Sequence, residues 1–264
     1  MAKPFLKWVG GKQQLLKHLH NQLPRKYDYY IEPFLGGGAL FFSMFSKKAL
    51  IADSNAELIN AYIVVRDNLD GLIEALRTHV NDSDYYYKIR ALKPYELSSV
   101  DRASRFIYLN KTCYNGLYRV NSKNEFNVPF GKYKNPTICD SRVLKVASRA
   151  LQGVNIQATY FQNILTNIPE NSFVYLDPPY LPVKFNSFVS YSKKGFGLEE
   201  HEALASCFEA LTDKGVKILL SNSNTDWVID RYSDYKIIKV NARRSVNSNG
   251  KKRGDVTELL IRNY

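Results

Sequence analysis

The chain has 264 residues, 45% of them hydrophobic, and carries a formal net charge of +12. That length holds one large α/β domain, or one such domain with a smaller insertion, and the apolar share excludes a disordered chain. The positive surplus favours a polyanionic partner, whose binding releases counterions, although a merely basic surface also fits it.

Ala39 to Phe45, the longest apolar stretch near the start, is far too short to span a bilayer, and Met1-Ala2-Lys3-Pro4-Phe5-Leu6 resembles no signal peptide. A soluble, cytoplasmic, nucleoid-associated protein of bacterial or phage origin is expected, without a membrane partner. The cysteines, Cys113, Cys139 and Cys207, are odd in number and lack metal-like spacing, and His18, His20, His79 and His201 form no ligand cluster. No metal is expected, and the cysteines read as small buried hydrophobes.

In chain order, Lys12 to Leu23 reads as a helix with Leu15, Leu16, Leu19 and Leu23 on one face and Pro24 just beyond it. Tyr29-Tyr30-Ile31-Glu32 is a short strand running into Pro33-Phe34-Leu35 and the glycines Gly36, Gly37 and Gly38. A helix is expected from Ala39, then a buried parallel strand, Ala49 to Ala52, ending in Asp53. Ser54 with Glu57 predicts a capping box for the next helix, through about Tyr62. This opening is β-α-β, the unit of a doubly wound sheet.

Residues 56–145 differ in character. Helical stretches, Leu69 to His79 and Arg102 to Lys111, precede a basic, aromatic segment from Cys113 to Tyr133 without regular period, which reads as loops and a hairpin in an inserted domain. From about residue 146 the α/β rhythm returns. Phe173 to Leu176 is a strand ending in Asp177, Leu198 to Leu211 an amphipathic helix with Leu204, Phe208 and Leu211 inward, and Val216 to Leu220 another buried strand. Tyr235 to Val240 and Val256 to Ile261 are expected to pair as a final antiparallel hairpin. The organisation predicted is a catalytic and cofactor-binding domain, residues 1–55 and 146–264, around an inserted target-recognition domain, residues 56–145.

Three motifs carry chemistry. In the strand–turn–helix at residues 29–45, glycines let the backbone approach a ligand, and Asp53, 21 positions after Glu32, stands where such folds bind ribose hydroxyls. It is not a G-x-G-x-x-G fingerprint, which disfavours a dinucleotide. Lys7-Trp8-Val9-Gly10-Gly11-Lys12 invites a phosphate-loop reading, but Gln13 stands where a Ser or Thr would hold magnesium. Trp8 beside a glycine turn could pack on a cofactor and the lysines face its carboxylate; a core Trp with solvated lysines also fits. Asp177-Pro178-Pro179-Tyr180 closes a hydrophobic strand, where ligands of open α/β sheets bind. Its prolines leave carbonyls free to accept, so Asp177 and a rigid carbonyl can accept both hydrogens of one exocyclic amino group, with Tyr180 offering a stacking face.

In this order, Lys7-Trp8-x-Gly-Gly-Lys12, Glu32-Pro33-Phe34-x-Gly-Gly-Gly, Asp53-Ser54-Asn55 and Asp177-Pro178-Pro179-Tyr180 resemble the Dam-like, alpha-group family of DNA adenine-N6 methyltransferases. Tyr114-Asn115-Gly116-Leu117-x-Arg119, Phe126 to Gly131 and Arg243-Arg244-Ser245-x-x-Ser248-Asn249-Gly250 look like its GATC-reading branch. The resemblance implies a Rossmann-like sheet with helices on both faces and an inserted, mainly helical domain with a β-hairpin. It implies S-adenosyl-L-methionine as cofactor, held by Trp8, Lys12, Glu32, Pro33, Phe34, Gly36, Gly37, Gly38, Asp53, Phe161 and Asp177. Asp177 and the Pro178 carbonyl would accept from the target amino group, Pro179 completing the turn and Tyr180 stacking on the flipped base. Lys7, Asn115, Arg119, Asn121 and Pro129 would read double-stranded DNA, Tyr114 and Leu117 wedge between bases, and Arg243 and Arg244 add contacts. The family usually has an acidic residue before Phe161, where this chain has Tyr160.

The enzyme expected is a site-specific adenine methyltransferase, monomeric in solution, with more than one copy able to sit on DNA. Another target sequence, an RNA or protein-amide methyltransferase, and a catalytically idle DNA-binding protein are the alternatives.

Overall fold

The parallel strands form where runs of apolar residues are buried on both faces. In a computed structural model, which describes residues 2–182, 196–243 and 255–264, these are β1 (Tyr29–Glu32), β2 (Ala49–Asp53), β4 (Ser172–Leu176) and β5 (Lys217–Ser223). The chain also forms β3 (Asn155–Ala158), buried only at Ile156, and then β6 (Lys236–Arg243) and β7 (Asp255–Arg262). The helices are α1 (Leu16–Asn21), α2 (Ala39–Met44), α3 (Ala56–Asp67), α4 (Leu69–Arg77), α5 (Ser83–Ala91), α6 (Ser99–Thr112), α7 (Ser141–Leu151), α8 (Phe161–Leu165), α9 (Leu198–Asp213) and α10 (Asp226–Arg231). The protein is mixed α/β, consistent with a Rossmann-like methyltransferase fold.

The chain divides into two units. One comprises Gln14–Leu35, Lys48–Ala52 and Thr159–Tyr264. It carries six of the seven strands, in the order β2-β1-β4-β5-β7-β6. The first four are mutually parallel, with Ile31 opposite Leu50 and Val174, and Val174 opposite Ile218. β7 turns antiparallel onto β5, and β6 pairs antiparallel with β7, as the final hairpin predicts. Val174, Leu176, Ile218 and Leu220 of the sheet are buried with Leu204, Phe208 and Leu211 of α9 and with Leu259 and Ile261 of β7. Each such side chain contributes roughly 1.5–3 kcal/mol on burial.

The other unit comprises Met1–Gln13, Gly36–Lys47 and Asp53–Ala158. It is mainly helical and carries β3. In α6, Phe106, Ile107, Tyr108 and Leu109 are buried, and Tyr108 and Leu109 join Tyr86, Cys113 and Val128 in one apolar cluster. Gly131 N donates to the Thr112 carbonyl at 2.8 Å, closing the aromatic segment back onto the end of α6.

Several local expectations are corrected. The helix from Lys12 breaks into a single 3₁₀ turn, Lys12–Leu15, and α1, which stops at Asn21 before Pro24. The cap of α3 is Asn55, not a Ser54 capping box: the Asn55 Oδ1 accepts from the backbone N of Glu57 and Leu58, both at 3.1 Å. The hairpin at 113–133 forms no regular ladder: it is held by two isolated antiparallel bridges, Cys113 with Phe130 and Val120 with Phe126, and by cross-chain bonds from Tyr114 N to the Pro129 carbonyl at 2.9 Å and from Asn127 N to the Arg119 carbonyl at 3.0 Å. Of the cysteines only Cys113 is buried, Cys139 and Cys207 being partly exposed.

Candidate active site and nucleic-acid interface

The glycine turn gathers its expected partners. Gly36 adopts φ +47°, and a Cβ there would lie 2.7 Å from the Trp8 ring. Gly37 allows a similarly close approach, its Cβ falling 3.1 Å from Trp8 Cβ. The glycines are therefore the condition for the indole to lie against the turn. Gly38, at φ 65°, precedes the first turn of α2. The Asp53 carboxylate accepts from Gly36 N and from Asn55 N, each at 2.9 Å. Burial pushes the Asp53 carboxyl pKa up, and the N–H bonds from Asn55 and Gly36 oppose the shift. Lys12 is buried and donates from Nζ to the Gly10 carbonyl at 2.6 Å.

Two residues that the motifs do not include complete this group. The Tyr62 hydroxyl donates to the Gly36 carbonyl at 3.1 Å. The Tyr118 ring stacks on Trp8 with centroids 5.9 Å apart and planes 22° off parallel. Tyr118 is the unspecified position of the Tyr114–Arg119 segment and Tyr62 follows the Asp53 motif on α3, and an aromatic on a helix or loop carries no signal of such a partner.

In the unit that holds the large sheet, β4 delivers Asp177 and a buried Pro178, followed by an exposed Pro179. The Tyr180 hydroxyl donates to Glu258 Oε2 at 2.6 Å. Burial, then the nearby Asp177 charge, push the Tyr180 phenol well above its usual pKa, so it keeps its proton. Glu32 is buried at the end of β1 and accepts from the Tyr30 hydroxyl at 2.7 Å. Pro33 is buried, and Phe34 packs on Phe161 with centroids 5.3 Å apart. Tyr160 is 69% exposed, and its side chain makes no cap bond to α8.

The aromatic segment presents several of the expected DNA residues. Lys7 is exposed, its backbone held on both sides by the buried Asn110, which accepts from Lys7 N at 2.9 Å and donates to Lys7 O at 2.7 Å. Asn110 also donates to the Gly116 carbonyl at 3.2 Å, tying Lys7 to the turn after Tyr114. The Lys7 ammonium lies 4.3 Å from the centre of the Tyr133 ring. Tyr114 and Asn115 are exposed, Asn115 at φ 55°, whereas Leu117 packs against the apolar cluster around Tyr86. Pro129 is exposed, its carbonyl accepting from Tyr114 N at 2.9 Å. Arg119 is exposed and donates from Nε to Asn127 Oδ1 at 2.7 Å. Asn121 is occupied by its own turn, accepting from the N–H groups of Lys123 and Glu125 at 2.9 Å and donating to Glu125 Oε2 at 2.8 Å. Lys111, behind this surface, has its pKa pushed down to about 8 by burial and by the charge of Lys7. Arg243 ends β6 and its side chain lies outside the described residues, as does the whole of Arg244 through Gly250.

One unit thus carries an acidic residue on a glycine turn, and the other carries an Asp-Pro-Pro-Tyr strand end. The profile of the D12 class of N6 adenine-specific DNA methyltransferases matches residues 8–246. The chain belongs to that family. It is 42% identical over 271 aligned positions to the Type II methyltransferase M1.LlaDCHI of Lactococcus lactis subsp. cremoris, covering 99% of this chain and 95% of the relative. It is 43% identical to the Type II methyltransferase M.MjaIII of Methanocaldococcus jannaschii, covering 100% and 99%. It is 35% identical to the DNA adenine methylase of Escherichia coli K12, covering 98% and 94%. The chain is thus an adenine-specific DNA methyltransferase acting on DNA. Among the described residues, no group of three metal-binding side chains occurs, and no helix is long and apolar enough to cross a membrane.

Proposed function

We propose that this enzyme transfers the methyl group of S-adenosyl-L-methionine to N6 of adenine within GATC, with the adenine turned out of the duplex. The observation that carries the reading is the Asp177-Pro178-Pro179-Tyr180 turn at the carboxyl end of β4. Its Pro178 has no N–H, so its carbonyl and the Asp177 carboxylate are an acceptor pair suited to the two hydrogens of one amino group. Holding both N–H bonds favours a tetrahedral nitrogen with its lone pair directed at an incoming methyl. Pro179 fixes the turn, and the Tyr180 ring supplies a face for the displaced base, whose unstacking costs a few kcal/mol.

The residues around the glycine turn suit the proposed cofactor. Asp53 uses one lone pair of each carboxylate oxygen on Gly36 and Asn55, leaving others for ribose hydroxyls. Trp8 and the Gly36–Gly38 backbone offer an apolar surface, and Lys12 a cation for a carboxylate. Glu32, Pro33, Phe34 and Phe161 are assigned to the same ligand. When bound, S-adenosyl-L-methionine supplies an electrophilic sulfonium methyl.

Residues 56–145 are assigned to target recognition and the remainder to catalysis and cofactor binding. Lys7, Asn115, Arg119 and Pro129 are assigned to reading DNA, and the exposed Tyr114 to wedging. Leu117 and Asn121, both engaged locally, would have to exchange those contacts to take part. Arg243 and Arg244 are assigned DNA contacts on the family resemblance alone. GATC rests on the likeness of the segments at 114–119, 126–131 and 243–250 to that branch of the family. Methylating a plasmid and mapping its modified adenines tests the whole: modification confined to GATC is expected, and another sequence or another base overturns it.

A further inference from the structure

Glu258 belongs to none of the motifs, yet it holds the aromatic residue of one. It lies on β7 directly opposite Ser223 of β5 in the antiparallel ladder. Its Oε2 accepts the Tyr180 hydroxyl at 2.6 Å, the short distance expected of a phenol bonded to a carboxylate. Ser223 Oγ donates to the carbonyl of the next residue, Leu181, at 2.6 Å. Asn222, the residue before Ser223, accepts at Oδ1 from Leu181 N at 3.4 Å and from Ser223 N at 2.8 Å. Adjacent strand positions on β5 and β7 therefore grip consecutive residues, the side chain of Tyr180 and the backbone of Leu181.

A tyrosine side chain has two torsions. Fixing its backbone on one side and its hydroxyl on the other leaves neither free. We propose that Glu258 is a positioning residue for methyl transfer, holding the Tyr180 ring in the orientation in which it stacks on the displaced adenine. This rests on the reading that Tyr180 stacks on the base. The carboxylate need not touch DNA or cofactor. Its effect passes through the phenol, which is why Tyr rather than Phe serves at position 180. Leu259, Leu260 and Ile261, all buried, follow Glu258 and anchor the strand that carries it.

The test measures kcat and KM on plasmid DNA, and KM for S-adenosyl-L-methionine, with a thermal melt of each variant. Glu258→Ala is expected to lower kcat about tenfold, the equivalent of one hydrogen bond to a charged group, with KM for the cofactor unchanged. Tyr180→Phe removes the same bond from the other side, with little risk to folding, and is expected to lose as much. The double variant should lose no more than either single one. Glu258→Gln keeps an acceptor oxygen and should recover most of the activity. Additive losses in the double variant, a Glu258→Gln variant as slow as Glu258→Ala, or parental kcat in both Glu258→Ala and Tyr180→Phe would overturn the proposal. Tyr180→Ala separates this failure from failure of the underlying reading. If it too turns over like the parent, Tyr180 does not stack on the base; if it is impaired while Tyr180→Phe and Glu258→Ala are not, only the role of Glu258 falls.

Discussion

The Asp53 carboxylate accepts the backbone N–H of Gly36 at 2.9 Å, so one acidic side chain fixes the turn against which Trp8 lies. The same carboxylate holds Asn55 N, and Asn55 caps α3. Asp53 therefore has a structural duty besides its proposed contact with ribose.

Asp53→Ala is expected to raise the Kd for S-adenosyl-L-methionine at least about tenfold, the loss of one to two hydrogen bonds to a charged acceptor. It should also lower the melting temperature, because Gly36 and Asn55 lose their acceptor. Sequence preference should hardly change. Calorimetric titration of the cofactor decides the matter, and unchanged affinity removes Asp53 from the binding site.

Tyr160→Asp should have two effects. The N-terminus of α8 has no side-chain cap, and an aspartate there can accept from its first-turn N–H groups, worth about 1 kcal/mol. Because Tyr160 is largely exposed, little packing is lost in exchange. The substitution also restores the acidic residue usual in the family, so cofactor binding should tighten. A melt and a titration check the two separately, and weaker cofactor binding would show that Tyr160 makes a contact of its own.

The strands were legible because Tyr29 to Glu32, Ala49 to Asp53 and Phe173 to Leu176 are short apolar runs, and a strand buried on both faces needs nothing else. Helix starts were less so. Ser54 and Asn55 are both good caps, and only the bonds from Asn55 to Glu57 N and Leu58 N decide between them. The Asp-Pro-Pro-Tyr turn was legible as chemistry, whereas Glu258 was not, since a glutamate on a strand reads as a solvent-facing residue. What made it informative is the β5–β7 register, which brings it to a tyrosine 78 positions earlier. The partnership of Trp8 with Tyr118 was hidden for the same reason: stacking across the chain leaves no periodic trace.

A pH effect follows from His79. Burial lowers its pKa from 6.5 to about 4, with the ring bonded to Tyr85 and Ser104 and stacked on Tyr108. The unfolded chain binds this proton more readily, so the contribution to stability is present above about pH 6.5 and is lost as the pH falls towards 4. Since the ring is only partly shielded from solvent, the loss between neutral pH and pH 5 should be on the order of 1 kcal/mol. Denaturant melts of the parent and of His79→Phe at the two pH values isolate it. An equal acid-induced loss in both would place the effect elsewhere.

Asp177→Ala should reduce methyl transfer by a factor of about 100 or more, the usual consequence of removing a preorganised charged partner from a reacting group. DNA binding and melting temperature should stay near those of the parent, because Asp177 precedes the turn that packs the strand end rather than filling the core. Asp177→Asn keeps an acceptor oxygen but loses the negative charge, so it should be impaired less than Asp177→Ala. Labelled methyl transfer under single-turnover conditions tests both, and near-normal turnover by the folded Asp177→Ala variant would remove Asp177 from the chemistry.

Arg119 tests how the site is read. Asn127 takes its Nε at 2.7 Å and one Nη2 hydrogen, through the backbone carbonyl, at 3.2 Å. A guanidinium has five N–H donors, so three remain to face outward, enough to place two parallel hydrogen bonds on guanine O6 and N7. Asn127 then serves as a buttress that limits the directions in which the exposed guanidinium can point. If Arg119 reads guanine, Arg119→Ala should cost roughly 1–3 kcal/mol on GATC and relax preference at that guanine alone. If it holds a phosphate, every site should weaken together and the salt slope should fall by about one unit. Asn127→Ala should produce a smaller loss of the same kind, since the arginine remains but is less constrained. A panel of duplexes varying each base of GATC, assayed at two salt concentrations, separates the outcomes. Loss confined to one guanine is expected, and uniform weakening across the panel would reassign Arg119 to the backbone.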